Sequence, residues 1–149
     1  GRAARMSGRA WPPAGLGVLA GGQVLLGLWV LPLPELFWKW PWVSHLPPCN
    51  EHLLRDFGGA SLALAVVLCA AVATLERRPV RTALTAYPVS SVAHLLFHAS
   101  HLEPLSAASA AGFPALLGTA VLLPAALVWL AADGTVLREP DPAGRPSAP

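Results

Sequence analysis

Charged residues are scarce in this chain. They make up 12% of its 149 residues, whereas an ordinary soluble domain has roughly 25%. Hydrophobic residues make up 54%, and the mean hydropathy is +0.54. A soluble domain of this length needs more charge to cover its surface, so the composition argues against one and favours a single membrane domain.

Cysteine is also rare, and several motifs are missing. The two cysteines, Cys49 and Cys69, would lie roughly 30 Å apart on a continuous helix, which is too far for a disulfide. No C-x-x-C is present, which argues against a thiol–disulfide redox enzyme. The sequence also lacks a glycine-rich phosphate loop, a G-x-S-x-G motif and a basic stripe for nucleic acid. It therefore assigns no enzyme class and predicts no nucleic-acid partner.

Four stretches carry no formal charge, at residues 10–34, 57–75, 82–102 and 104–132. Each is long enough for a membrane-spanning helix, which needs about 20 mostly apolar residues. The first stretch follows arginines, as the apolar run of a signal peptide does. It is long for a signal, however, and no A-x-A cleavage site follows it. We therefore predict an all-α integral membrane protein that folds as an up-down four-helix bundle.

The predicted transmembrane domain covers residues 14–132, after an N-terminal segment at 1–13. Its helices are expected at about 14–31, 51–75, 79–101 and 106–132. In the first helix, small residues four apart predict close helix packing; they are Gly17 and Gly21, followed by Gly22 and Gly27. The tail at 133–149 is rich in Pro, Gly and Ala and is predicted to be disordered.

The positive residues predict the orientation, because Lys and Arg favour cytoplasmic loops. With four spans, one side holds Arg2, Arg5, Arg9, Arg77, Arg78, Arg81, Arg138 and Arg145. Only Lys39 and Arg55 lie on the other side. We therefore expect a multi-pass protein of the plasma membrane with both termini in the cytoplasm.

The segment between the first two predicted spans is rich in Pro and Trp. Because aromatic side chains favour the headgroup region, we expect this segment to lie at the outer membrane surface. The alternative is a lid over an outer pocket. Asn50, just before the second span, is a good N-cap residue.

The predicted topology collects the histidines and several acids on the outer half of the molecule. They are His45, His52, His94, His98, His101, Glu35, Glu51, Asp56 and Glu103. On the third span, a polar stripe within about 60° of one direction should face the interior, because polar groups are costly in lipid. It comprises Tyr87, Ser90, Ser91, His94, His98 and His101.

Two pairs in this group have the i,i+4 spacing that lets both side chains reach one ion. They are His52 with Asp56 on the second span, and His94 with His98 on the third. Imidazole and carboxylate ligands suit Zn, Fe, Cu or Ni. We predict a metal or redox-cofactor site formed by these four residues between antiparallel helices. Second-choice ligands are Glu51, Arg55, His101 and Glu103.

Other functions fit the same residues. Haem would take one axial histidine from each of the second and third spans. A quinone, lipid or other small molecule would use the His and Asp side chains to handle protons, and a transporter would need polar residues through the full membrane depth. An accessory or assembly subunit would use the stripe to contact a partner, as a homo-oligomer or in a larger complex. A purely structural network would pair Arg55 with Asp56 or Glu103.

The motif Asn50-Glu51-His52-x-x-Arg55-Asp56-x-Gly58, followed by His94-x-x-x-His98 and Glu103, resembles a pattern in small actinobacterial four-helix membrane proteins. These are similar in size and architecture to DoxX-like proteins. The resemblance covers roughly residues 50–132. It implies a four-helix bundle in the cytoplasmic membrane and supplies no activity. DoxX-like proteins are linked to redox and thiol-stress roles. A cysteine pair would support such a role directly, and this chain lacks one.

Overall fold

The computed structural model describes residues 2–103 and 105–132. In those ranges the regular elements are helices: α1 (Arg2–Val30), α2 (Pro34–Trp38), α3 (Pro41–Ser44), α4 (Glu51–Thr74), α5 (Arg77–Ala99) and α6 (Ala107–Ala132). The predicted all-helical class is confirmed. Helix α1 extends further towards the N-terminus than the predicted start at residue 14. The predicted disordered tail at 133–149 lies outside the described residues.

Three of the long helices are apolar enough to cross a membrane. These segments are Pro13–Val30, Glu51–Thr74 and Ala107–Ala131, with mean hydropathies of 1.5, 2.1 and 2.0. Helix α5 does not join them by this measure. Its first turns carry arginines, and its Ser and His side chains lower its hydropathy further.

Large apolar side chains are exposed on each of these three helices. Leu25 on α1 is 71% exposed, Val66 on α4 is 69% exposed, and Leu122 on α6 is 70% exposed. Exposed apolar surface on this scale is unfavourable in water and suits the hydrocarbon of a bilayer. The helices therefore have the surface of a membrane protein.

The four long helices pack in a cyclic order, with α1 and α5 each contacting both α4 and α6. Each contributes a leucine that is at most 2% exposed to a common core: Leu16, Leu68, Leu84 and Leu127. This aliphatic core lies towards the end at which Thr74 and Arg77 meet. We term that end the arginine end. The opposite end, which holds Val30, Glu51 and Ala99, is termed the histidine end.

Helices α1 and α4 approach most closely at two glycines. A Cβ added to Gly58 would lie 2.7 Å from the backbone nitrogen of Leu31, and one added to Gly27 would lie 2.5 Å from the Leu62 side chain. Of the four glycines with a predicted role in close packing, Gly27 makes such a contact within the described chain, whereas a Cβ at Gly17, Gly21 or Gly22 meets nothing within 4 Å. Gly27 lies six residues, or about 1.7 helical turns, beyond Gly21 along α1.

The boundaries of α4 explain how the chain reverses. Its N-cap is Asn50, as predicted, and the Asn50 Oδ1 accepts a hydrogen bond from the Leu53 N–H at 3.0 Å. It ends at Leu75, which has a left-handed φ of 51° and donates its N–H to the Ala71 carbonyl. Leu75 also packs against the core. That packing offsets the cost of left-handed geometry, about 1–2 kcal/mol for a residue with a Cβ, and turns α5 back beside α4.

Candidate functional site

The segment between α1 and α4 folds over the histidine end. It contains the two short helices α2 and α3, each of which begins with a proline in its first turn, a position that proline favours. Phe37 on α2 is only 6% exposed and lies next to Phe57 of α4. Trp42 on α3 lies on Phe113 of α6, with ring centroids 5.2 Å apart. The aromatic side chains of this segment therefore pack inward onto three of the long helices.

Aromatic and imidazole rings form a closed cycle of contacts at this end. Successive centroids lie 4.5 to 6.5 Å apart, which is the usual range for favourable ring pairs. The order is Trp29, Phe37, Phe57, His94, His98, Phe113, Trp42, Trp40 and back to Trp29. All six helices contribute a ring to the cycle, so it surrounds His94 and His98 with aromatic side chains.

His45, at the end of α3, joins these two histidines. Its Nε2 lies 2.9 Å from the backbone carbonyl of His101, and its ring centroid is 6.0 Å from that of His98. A carbonyl oxygen only accepts hydrogen bonds, so the proton of neutral His45 is on Nε2. Its Nδ1 is then a lone-pair nitrogen.

Two ring nitrogens in this group have no hydrogen-bond partner among the described residues. They are the Nδ1 atoms of His45 and His98, and both are buried. A buried polar atom without a partner costs about 1–3 kcal/mol. Buried polar groups almost always find a partner, so such an atom calls for an explanation such as a bound ion or water.

His94 completes a group of three histidines. Its ring centroid is 4.5 Å from that of His98, and it lies nearly parallel to the Phe57 ring, with centroids 5.6 Å apart and planes at 10°. The predicted proximity of His94 and His98 is therefore present in the structure. His45 is the neighbour that sequence reasoning did not include among the ligands.

His52 and Asp56 lie elsewhere. Their side chains are 87% and 65% exposed, and the His52 Nε2 pairs with the Asp56 carboxylate at 3.4 Å. The helical repeat explains this, because each residue is rotated by about 100° around the axis of α4 from the one before it. Measured from His52, Asp56 lies at about 40°, whereas Phe57 and Gly58 lie at about 140° and about 240°. Phe57 faces α5 and Gly58 faces α1, so the direction shared by His52 and Asp56 points away from both helices. The four predicted ligands form two separate pairs.

The second-choice residues are also dispersed. Arg55 pairs with Glu51 at 2.8 Å and donates to the Leu31 carbonyl at 2.8 Å. This contact caps the C-terminal end of α1, where carbonyls lack helical partners and a positive charge is favourable. The His101 Nδ1 lies 2.8 Å from the Phe97 carbonyl, and Glu103 is exposed.

At its inner end, the polar stripe of α5 makes a partly buried hydrogen bond through Tyr87. The Gln23 Nε2 donates to the Tyr87 hydroxyl oxygen at 2.9 Å, and Tyr87 is 7% exposed. Ser90 is exposed and Ser91 is partly buried, so only part of the predicted stripe faces the interior. Sequence reasoning missed Gln23. Its signal was visible, because it is the only glutamine in the chain and lies within a charge-free stretch.

Within residues 2–103 and 105–132, no three His, Cys, Asp or Glu side chains already converge as a set that could hold a metal ion. Comparisons with known protein families, with curated proteins and with solved structures found no match for this chain. The fold and the histidine group are therefore interpreted from their own chemistry.

Proposed function

We propose that this chain is a four-span membrane protein that binds one transition-metal ion at its histidine end, through His45, His98 and His94. The buried Nδ1 atoms of His45 and His98, which lack partners among the described residues, are the observation that carries the proposal. A metal ion would use both nitrogens and remove the cost of burying them unpaired.

Helix α5 supplies the fourth span of this proposal. It is 23 residues long, and it exposes Val89 and Leu96 at 73% and 65%. Such a surface suits lipid, while its polar side chains lie partly inside against α4 and α6. On the positive-inside rule, the distribution of arginines favours an orientation with the histidine end outside the cytoplasm and both termini inside.

Two ring spacings, both to His98, support imidazole ligands to one ion. Two imidazoles on one tetrahedral ion have centroids about 5 Å apart, because metal–nitrogen distances are about 2.0–2.1 Å. The His94–His98 and His45–His98 centroid distances, 4.5 and 6.0 Å, lie on either side of that value. Binding would require these rings to rotate until three nitrogens meet at one point, and a fourth ligand position would then remain for water or a substrate. Zn, Fe and Cu all accept this ligand set.

The same geometry separates this proposal from the alternatives suggested by the sequence. Haem with one axial histidine from α4 would need His52, which lies on an exposed face. The accessory-subunit and transporter hypotheses, and the resemblance to actinobacterial DoxX-like proteins, stay predictions from the sequence alone.

The test is elemental analysis of full-length protein purified in mild detergent without a histidine tag or chelator. We expect about one equivalent of metal per chain, or uptake of one equivalent of Zn²⁺ or Co²⁺ on addition. His45→Ala and His98→Ala should each weaken binding by at least about tenfold, since each removes a direct ligand.

His52→Ala is the matched control, because it removes the same side chain from the same end of the molecule. It should bind metal like the wild type. Loss of metal in His52→Ala with retention in His45→Ala would instead favour the ligand set predicted from the sequence. Folded wild-type protein that takes up no Zn²⁺, Co²⁺ or Cu²⁺ would refute the proposal.

A further inference from the structure

A second site lies at the opposite, arginine end, in a cleft between α5 and α6. The cleft has a volume of about 230 Å³ and is lined by Arg81, Leu84, Thr85, Val128 and Ala131. It adjoins an open hollow on α5 that shares Arg81 and Thr85 with it. The guanidinium of Arg81 is thus the one permanent charge among the residues that line this mostly apolar cleft.

Arg81, the charge in this cleft, makes no ion pair within the described part of the chain. The ion pairs found there join His52 to Asp56 and Arg55 to Glu51, and neither includes Arg81. Arg78 lies three residues before Arg81 and is exposed. Like charges three or four residues apart on a helix repel each other, so an anion at this point relieves that repulsion.

The first turns of α5 add to the positive potential. The N-terminus of a helix carries a partial positive charge, which favours phosphate-like anions. In α5 the N-cap is Glu76, and its carbonyl accepts the Val80 N–H. The Thr85 hydroxyl donates its proton to the Arg81 carbonyl at 2.7 Å. It is therefore committed to the helix, and the guanidinium of Arg81 is the donor available to an anion in the cleft.

The walls of the cleft match a hydrocarbon chain. Val128 is 42% exposed, and Trp129 beside it is 74% exposed near the end of α6. Tryptophan at the end of an apolar helix marks the membrane–water interface. At that depth, a phosphate held by Arg81 would leave acyl chains lying along the apolar surface between α5 and α6.

We propose that this cleft binds an anionic glycerophospholipid, with Arg81 holding the phosphate and Val128 contacting the first part of an acyl chain. The site rests on the membrane-spanning arrangement proposed above and is independent of the metal site. It provides a specific contact with the lipid leaflet on the arginine side of the membrane.

The test uses full-length protein in mild detergent, titrated with phosphatidylglycerol or phosphatidylcholine and followed by native mass spectrometry and thermal unfolding. We expect phosphatidylglycerol to bind and to raise the unfolding temperature more than phosphatidylcholine does. Arg81→Gln should weaken phosphatidylglycerol binding about tenfold, as expected for loss of a charged hydrogen bond.

Two further variants distinguish the cleft from general charge attraction. Lys39→Gln removes one positive charge at the histidine end and should bind phosphatidylglycerol like the wild type. Val128→Trp keeps all charges, fills the cleft from an exposed position, and should weaken binding as Arg81→Gln does.

Equal effects of Arg81→Gln and Lys39→Gln, or unchanged binding in Val128→Trp, would overturn the lipid site. A thermal shift reproduced by inorganic phosphate alone would do so as well. Recovery of the protein from the soluble fraction would overturn the spanning arrangement together with the lipid site. Metal binding measured on the same preparations reports separately on the histidine site.

Discussion

Replacing Gly58 by alanine should separate α1 from α4. The added methyl would lie 2.7 Å from the Leu31 nitrogen and 2.9 Å from its Cα. Both are backbone atoms, so the strain is relieved only by moving one helix away from the other. A radial gap of about 0.5–1 Å already loses a quarter to a half of each dispersion contact. Dispersion matters here because lipid removes most of the hydrophobic drive between helices.

The expected cost is about 1–3 kcal/mol, as for overpacked sites in other proteins. Movement of Leu31 would also disturb the 2.8 Å hydrogen bond that its carbonyl accepts from Arg55. Gly59→Ala is the matched control: it makes the same chemical change one residue away on α4, where an added Cβ meets nothing within 4 Å. The helix-propensity gain, about 0.8–1 kcal/mol, is common to both variants and cancels in their difference.

The assay is unfolding in mixed micelles of mild detergent and SDS, followed by far-UV circular dichroism. Gly58→Ala should unfold at a lower SDS fraction than Gly59→Ala. Equal stability of the two variants within about 0.5 kcal/mol, the usual limit of additivity, would refute the close approach of α4 to Leu31.

Other substitutions test separate contacts by the same unfolding assay. A double-mutant cycle of Gln23→Leu with Tyr87→Phe should give a coupling energy of about 0.6–1.7 kcal/mol, typical of hydrogen bonds inside membrane proteins; zero coupling would mean that the 2.9 Å contact contributes nothing. Gly27→Ala should destabilise by about 1–3 kcal/mol because its Cβ meets Leu62. Gly17→Ala, with open space around it, should not, and equal losses would contradict this difference. Asn50→Ala should cost about 1 kcal/mol through loss of the N-cap, whereas Asn50→Asp should retain most of the stability; an unaffected alanine variant would show that the cap is dispensable.

The charge-free runs of this chain predicted its helices but did not predict which helices pack against each other. Charge-free runs led directly to three of the long apolar helices, because a span needs length and low polarity and both can be counted in a sequence. Asn50 was recognised as a cap because capping is a local interaction. The small-x-x-x-small pattern predicted which face of α1 could pack closely. It did not predict which helix, if any, that face contacts. Gly27 and Gly58 make the contact, and Gly17 does not.

The candidate site likewise includes contacts that the sequence predicted and contacts that it did not. The proximity of His94 and His98 was predictable because residues four apart on one helix are neighbours wherever the helix packs. Their role as metal ligands stays a prediction. His52 and Asp56 satisfied the same rule, but α4 turns them away from α5. Its rotation is set by Phe57 against His94 and Gly58 against Leu31. His45 lies 49 residues before His94 along the chain. Its segment has no regular spacing of polar residues from which a contact with α5 could be predicted.

By itself, the sequence determined that this protein is helical, that its surface suits lipid, and that Arg77, Arg78 and Arg81 lie at the opposite end from the histidines. Those properties depend on composition and on spacing along one helix, where chemistry is local. Only the tertiary structure decided which histidines meet, where Arg81 has a cleft beside it, and which glycines allow close contact. Each of these depends on how one helix is rotated against another, and that rotation is fixed by packing between residues distant in the chain.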